Sequence, residues 1–186
     1  MQQKPESKTA MLAITALLTA IGIAIPLLSP FKVVLEPASF TLASHVAIFI
    51  AMFISPWVAA AVAVGTTVGF FLGGFPIVVV ARAASHLIWA FGGALVLKRY
   101  PGILKSGKQT ALFAVGLALV HGVAELAAVA PFYFGGLMPV AYGEGATGFL
   151  TFVVLLVGVG TVIHSLVDFG IAMAVWKPLQ RALRRR

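Results

Sequence analysis

Arg82 and His86 stand one helical turn apart in an apolar stretch, and His121 and Glu125 repeat that spacing in another. An ionisable side chain in hydrocarbon is costly enough that it faces a partner, a cavity or a substrate rather than lipid. Residues four apart share a helix face, and Trp89 continues the Arg82 face at i+7. Two chemistries follow. Arg82 closes an ion pair with Glu125 between two helices, or its guanidinium fork receives the carboxylate of a ligand. His121 with Glu125 has the spacing of a metal pair, but there is no HExxH run and the sequence indicates no third ligand, so no metal is expected. His164 and Asp168, also four apart, read as a satisfied hydrogen-bonded pair rather than a site, since polar contacts are common in bundles. Trp89 offers either a platform for a flat ligand or an interfacial anchor.

The surrounding chain supplies the solvent. Hydrophobic residues make up 61% of it and charged ones 10%, with mean hydropathy +1.07, which defines an integral membrane protein. A length of 186 residues holds about six spans of roughly 20 residues with short connections, as a single all-α membrane domain. No Gly-Lys-Ser/Thr phosphate loop is present, so any ATPase must be a separate chain. Cysteine is absent, which excludes disulfides, thiol catalysis and cysteine-based metal sites.

The apolar runs predict spans at about 9–28, 41–54, 57–72, 76–97, 109–130 and 149–176. The first is long for the core of a signal peptide and enters Pro26 and Pro30 without a small-residue cleavage site. Ser29 to Phe40, with Lys32, Glu36, Pro30 and Pro37, reads as a partly extended loop. Ser55-Pro56 and Gly73-Gly74-Phe75-Pro76 end one helix and start the next. The second run is shorter than a full crossing.

Charge decides the topology. With a turn at Ser55-Pro56, both termini and the loop at 98–108 share one face, and that face carries eleven of the thirteen basic residues, as expected for the cytoplasm. The net charge of +8 is then a topology signal with a secondary attraction to anionic lipid. Nucleic-acid binding is not expected, because no soluble recognition domain presents these residues. Counting about 1.5 Å per residue, Arg82 lies about 9 Å and Glu125 about 8 Å below the outer face. His86 and His121 fall one turn deeper, His45 comes to a similar height, and His164 with Asp168 falls in the inner half of span six, in a different layer.

Ala16, Ala20 and Ala24 repeat every four residues with Ala13 near the same face, a small-residue ridge that admits close helix approach. It serves internal packing or a docking stripe for another membrane subunit. Gly65 to Gly69 and Gly92-Gly93 are expected to serve packing inside the bundle.

Size, six spans with cytoplasmic ends, the alanine ridge on span one, an extended first loop and the stretch Ser44 to Pro56 before a Gly-rich third span are similar to the substrate-binding S components of energy-coupling factor vitamin transporters. The resemblance covers nearly the whole chain. It implies a high-affinity binder of a small vitamin that docks through the alanine face on a transmembrane coupling subunit driven by two ATPases. It also implies a ligand near the outer face, under the first loop, with Arg82, His86, Trp89, His121, Glu125, His45, Phe75, Tyr133 and Tyr142 fitting the site. The chain most resembles the niacin-type members, with the pantothenate type next. No cofactor and no covalent chemistry are expected. The rival readings are an autonomous proton-coupled transporter or channel using the His and acid residues as a relay, and an intramembrane enzyme using His121–Glu125 or His164–Asp168 as acid/base pairs.

Overall fold

The computed structural model describes residues 8–35, 38–138 and 145–184. The chain runs α1 (Lys8–Leu28), β1 (Lys32–Leu35), β2 (Ala38–Thr41), α2 (Val46–Ile54), α3 (Pro56–Leu72), α4 (Ile77–Arg99), a short 3-10 turn (Ile103–Lys105), α5 (Gly107–Phe134), α6 (Gly145–Gly148), a π-wound segment (Phe149–Val159) and α7 (Gly160–Arg184). The last three form one continuous rod. Four helices, Lys8–Leu28, Ile77–Arg99, Gly107–Phe134 and Gly145–Gln180, are long and apolar enough to cross a membrane. Their outer faces expose Leu12, Leu112, Val123 and Ile163, which suits a lipid jacket and needs no cover from water.

Several predicted elements differ from their expectations, α5 among them, which runs on to Phe134 rather than ending near 130. The loop at 29–40 contains an antiparallel hairpin, with Lys32 opposite Thr41 and Leu35 opposite Ala38, and both ends of β2, Ala38 and Thr41, are buried. Span two starts at Val46 rather than Thr41 because the hairpin takes residues up to 41 and a turn takes the next four. Its nine residues rise about 13 Å, less than half of a hydrocarbon core of about 30 Å. Val46 through Met52 are all buried, as fits a helix that is apolar all round. α2 is thus a central plug packed by α1, α3, α4 and α7.

The predicted break after α2 is present. Ser55 is extended, its Oγ accepts from Val58 N–H, and Pro56 occupies the first turn of α3, where its missing N–H costs nothing. Trp57 packs on Phe91, near mid-height of α4 rather than at its end. The α2–α3 turn therefore stops inside the bundle, which is why α2 is short.

Within lipid, helices gain little from hiding apolar surface and associate through close packing and polar contacts. Gly65 and Gly69 receive Thr19 and Ile23 of α1, and Gly22 of α1 receives Thr66 of α3. Gly93 seats Met52 and Leu117. Gly65, Gly69 and Gly93 serve internal packing as the sequence indicates, whereas Gly92, expected to do the same, faces open space. A Cβ on Gly65 would stand 2.6 Å from Thr19 Cγ2, whereas one on Gly92 meets nothing within 4 Å. Gly65→Val is expected to destabilise by about 1–3 kcal/mol and Gly92→Ala to leave stability unchanged or raised. Thermal unfolding of both purified variants checks the contrast.

Candidate functional site

Three helices and one turn bring their polar residues to one place. On α4, Arg82 and His86 share the buried face with Ser85 and Trp89; on α5, His121 and Glu125 are buried; on α7, Thr161, Ser165 and Asp168 are buried at a spacing of four and three. His45 enters from the turn just before α2. The carboxylate of Glu125 gathers most of them. Its Oε2 accepts from Arg82 Nε at 2.8 Å and from Thr161 Oγ1 at 2.6 Å, and lies 2.7 Å from Arg82 Nη2. Its Oε1 lies 3.3 Å from the Nε2 of both His86 and His121. Ser165 Oγ is 3.2 Å from His121 Nδ1. The pair expected between Arg82 and Glu125 is formed.

A second carboxylate anchors the neighbouring layer. Asp168 accepts the Ala43 N–H at 2.8 Å, the His45 N–H at 2.9 Å and His45 Nδ1 at 3.1 Å. Ala43 sits at φ 68°, a left-handed conformation that costs a residue with a Cβ roughly 1–2 kcal/mol. The Asp168 contacts hold the turn in that form. His164 Nε2 meets Ser44 Oγ at 3.0 Å and Asp168 Oδ2 at 3.3 Å.

The expectation of a separate layer for His164 and Asp168 is therefore corrected. The ring of His164 lies 4.9 Å from that of His45, which is 4.8 Å from those of His86 and His121. The rod begins at Gly145 rather than Phe149, and its π-wound stretch packs more residues into each turn and so rises less per residue. The smaller rise leaves His164 and Asp168 less deep than a regular helical count gives, beside the ring of His45. The absence of a third metal-type ligand is corrected as well. His45, His86, His121 and Glu125 each offer a donor atom with all such atoms within 4.8 Å, and His45, His164 and Asp168 form another such group.

Above this cluster lies a cavity of about 60 Å³. A single water needs about 10–15 Å³, so the chamber is on the scale of a small solute. Arg82, His86, His45 and Glu125 form its polar floor, and Gly22, Pro26, Ser39, Thr41, Ser44, Phe70, Phe75 and Val79 are among its other walls. Phe75 lies stacked on Phe70, ring centroids 4.6 Å apart. Phe40 of the hairpin stands 5.8 Å from the Arg82 guanidinium carbon. The hairpin, the α3–α4 loop and the upper ends of α1 and α4 thus roof one chamber.

Other sequence candidates fall elsewhere. Trp89 is buried in the core and packs beneath the imidazoles at 4.7 Å from the His121 ring, so it is no interfacial anchor. Its Nε1 has no hydrogen-bond partner among the described residues. His121 is wholly buried and stands behind the floor. Tyr133 donates to the Gly145 carbonyl at 2.9 Å, tying α5 to α6, and does not line the cavity. Tyr142, Glu36 and Glu144 lie outside the described residues. Ala16 and Ala20 are exposed and Ala24 is half-buried. Sequence reasoning missed Ser39, Thr41, Ser44, Thr161 and Ser165. The run Thr161, Ser165, Asp168 on one face of an apolar helix was the available signal for the last two.

A helical bundle with an apolar exterior, closed around a small polar chamber beneath one end, is a multi-pass membrane protein built to bind a solute, and the vitamin-transporter S components are such a class. Over 183 residues the chain is 38% identical to the "Niacin transporter NiaX" of Lactococcus lactis subsp. cremoris (strain MG1363), spanning 98% of this chain and 80% of that protein. The chain belongs to that family, the niacin-type S components, and is a multi-pass protein of the plasma membrane. No family model matches it, and no solved structure does.

The geometry ranks the supports of Glu125. Glu125→Ala strands the buried Arg82 and is expected to destabilise by about 3–5 kcal/mol. Thr161→Val removes one donor from a carboxylate that keeps its others, at a cost of about 1 kcal/mol. Chemical or thermal unfolding of both variants in one detergent measures the difference.

Proposed function

We propose that this protein is the substrate-binding subunit of an energy-coupling factor importer and that its substrate is niacin. The observation that carries the reading is the cavity over Arg82, His45 and His86 in a chain whose relative is named a niacin transporter. Nicotinate pairs one carboxylate with one aromatic ring. Phe75 and Phe70 are walls suited to the ring, and Arg82 is suited to the carboxylate. The contacts of Arg82 with Glu125 use Nε and Nη2 and leave Nη1 for a ligand. Pantothenate, longer and without a ring, suits a chamber of this size less well.

In this reading the six helical segments place both termini in the cytoplasm and the cavity toward the outside. The hairpin closes over the bound vitamin. Docking uses the α1 ridge of Ala16, Ala20 and Ala24 against a transmembrane coupling subunit, and two ATPase subunits supply the work. The chain itself contributes recognition and performs no covalent step. A histidine and carboxylate cluster is also what a proton relay requires, which keeps autonomous transport as the second reading. Niacin uptake by liposomes containing this chain alone, without ATPase, would favour it.

Binding is tested by the thermal stability of the purified protein with nicotinate, nicotinamide and pantothenate. Nicotinate at about 100 times its dissociation constant is expected to add about 2.7 kcal/mol, and nicotinamide, lacking the carboxylate, much less. Absence of a shift with every compound sinks the vitamin reading. In an Arg82→Ala variant that still unfolds cooperatively, nicotinate affinity is expected to fall by about 2–5 kcal/mol; wild-type affinity would remove Arg82 from the site.

Docking is separable from binding. Ala20→Trp places a large ring on an exposed position of α1, on the side of the helix away from Gly22, which lines the cavity. Nicotinate binding is expected to survive while uptake in cells carrying the coupling and ATPase subunits is lost. Retained uptake would assign docking to another surface.

A further inference from the structure

We propose that His45, His86, His121 and Glu125 form a binding site for a divalent transition metal, zinc by preference, in the floor of the cavity. The donor set comes from three parts of the chain: the turn before α2, α4 and α5. Its three imidazole rings are 4.8, 4.8 and 5.0 Å apart, centroid to centroid, and meet at steep angles of 76°, 82° and 89°. All four donor atoms lie within 4.8 Å of one another.

The distances favour an ion over hydrogen bonds alone. His86 Nε2 and His121 Nε2 each stand 3.3 Å from the same oxygen, Glu125 Oε1. That is long for an N–H···O bond, whose usual length is about 2.9–3.0 Å. It equals the edge of a tetrahedron whose metal–ligand bonds are about 2.0–2.1 Å, since that edge is about 3.3 Å. Two edges of the polyhedron are thus already in place, and side-chain shifts of about 1–1.5 Å complete the others. Three nitrogens and one carboxylate oxygen select zinc or a neighbouring late transition metal; magnesium and calcium require oxygen shells.

The partners behind His45, His121 and Glu125 have the pattern of a metal site's outer shell, in which a ligand's second donor atom is held so that the first is aimed. Asp168 holds His45 at Nδ1, leaving Nε2. Ser165 holds His121 at Nδ1, leaving Nε2. Arg82 and Thr161 hold Glu125 at Oε2, leaving Oε1. Each restraint falls on the atom that a metal would not use.

Charge supplies a reason for the ion. In the floor the charge of Arg82 is matched by that of Glu125, and a divalent cation held there would add positive charge beside the cavity. The use of that charge for a vitamin carboxylate rests on the niacin reading; the metal site does not.

The deciding experiment strips wild-type protein, purified through a tag without histidines, with a chelator and titrates it with Co²⁺ and then Zn²⁺. One equivalent of Co²⁺ is expected to saturate the protein with the visible absorption of a four-coordinate site, and Zn²⁺ to displace it. Ser165→Ala, which touches no donor atom directly involved, is expected to weaken metal affinity 10–100-fold, and His86→Asn to abolish the four-coordinate spectrum. Absence of saturable Co²⁺ absorption in folded wild-type protein overturns the proposal. So does a spectrum unchanged in both variants, which would put the metal elsewhere. Nicotinate binding is measured on the same stripped and loaded samples. Binding equally strong without metal leaves the vitamin reading intact and overturns the metal's part in it, whereas metal retention without any nicotinate binding overturns only the vitamin reading.

Discussion

A carboxylate buried among helices in lipid cannot be left with spare lone pairs, and Glu125 determines much of this bundle by that requirement. In hydrocarbon an unmet polar group costs several kcal/mol, while apolar contacts between helices contribute little that lipid does not also supply. Polar contacts and close approach therefore decide which faces meet. Glu125 on α5 takes Arg82 and His86 from α4 and Thr161 from α7. Three long helices are thus registered by one side chain. The glycine and threonine contacts of α1 with α3 do the remaining work by permitting approach rather than by attraction.

Asp168 solves a different problem with the same chemistry. The chain must leave the hairpin, drop into the bundle and begin a nine-residue helix whose first N–H groups have no intrahelical acceptors. Asp168 accepts two main-chain N–H groups there and the ring of His45 as well. One acid on α7 therefore braces the turn that leads into α2, holds Ala43 in the left-handed region and sets the height of His45. The shortness of α2 is what allows a histidine at its start to stand beside histidines from the middle of α4 and α5.

These two hubs explain what was legible in the sequence. The meeting of Arg82 and His86 with His121 and Glu125 could be read because α4 and α5 are regular helices, on which a spacing of four keeps each pair on one face; the end of α5, at Phe134 rather than 130, could not. Turn chemistry at Ser55-Pro56 and Gly73 to Pro76 was equally direct. His164 and Asp168 were misplaced because a π-wound segment departs from the regular rise and apolar residues give no notice of it. The hairpin was readable only as an extended segment, since its pairing sets Lys32 and Val33 against Thr41 and Phe40 with no Asn-Gly or Asp-Gly turn signal. The imidazole cluster as a whole could not be read, because it forms only when α2 is cut short and α7 is raised.

The division of the site into floor and roof then has a mechanical consequence. The floor residues Arg82, His86 and Glu125 are locked to one another across α4 and α5, and His45 is locked to α7 through Asp168. The roof is attached differently. Phe40 and Ser39 belong to a two-stranded hairpin whose Val33 and Phe31 are exposed, and Leu42 N–H bonds Phe31 across its base. A two-stranded hairpin is marginal on its own, so its position depends on what lies beneath Ala38, Phe40 and Thr41. The roof therefore rests on the walls beneath it, whereas the floor is held by ion pairs and hydrogen bonds of its own.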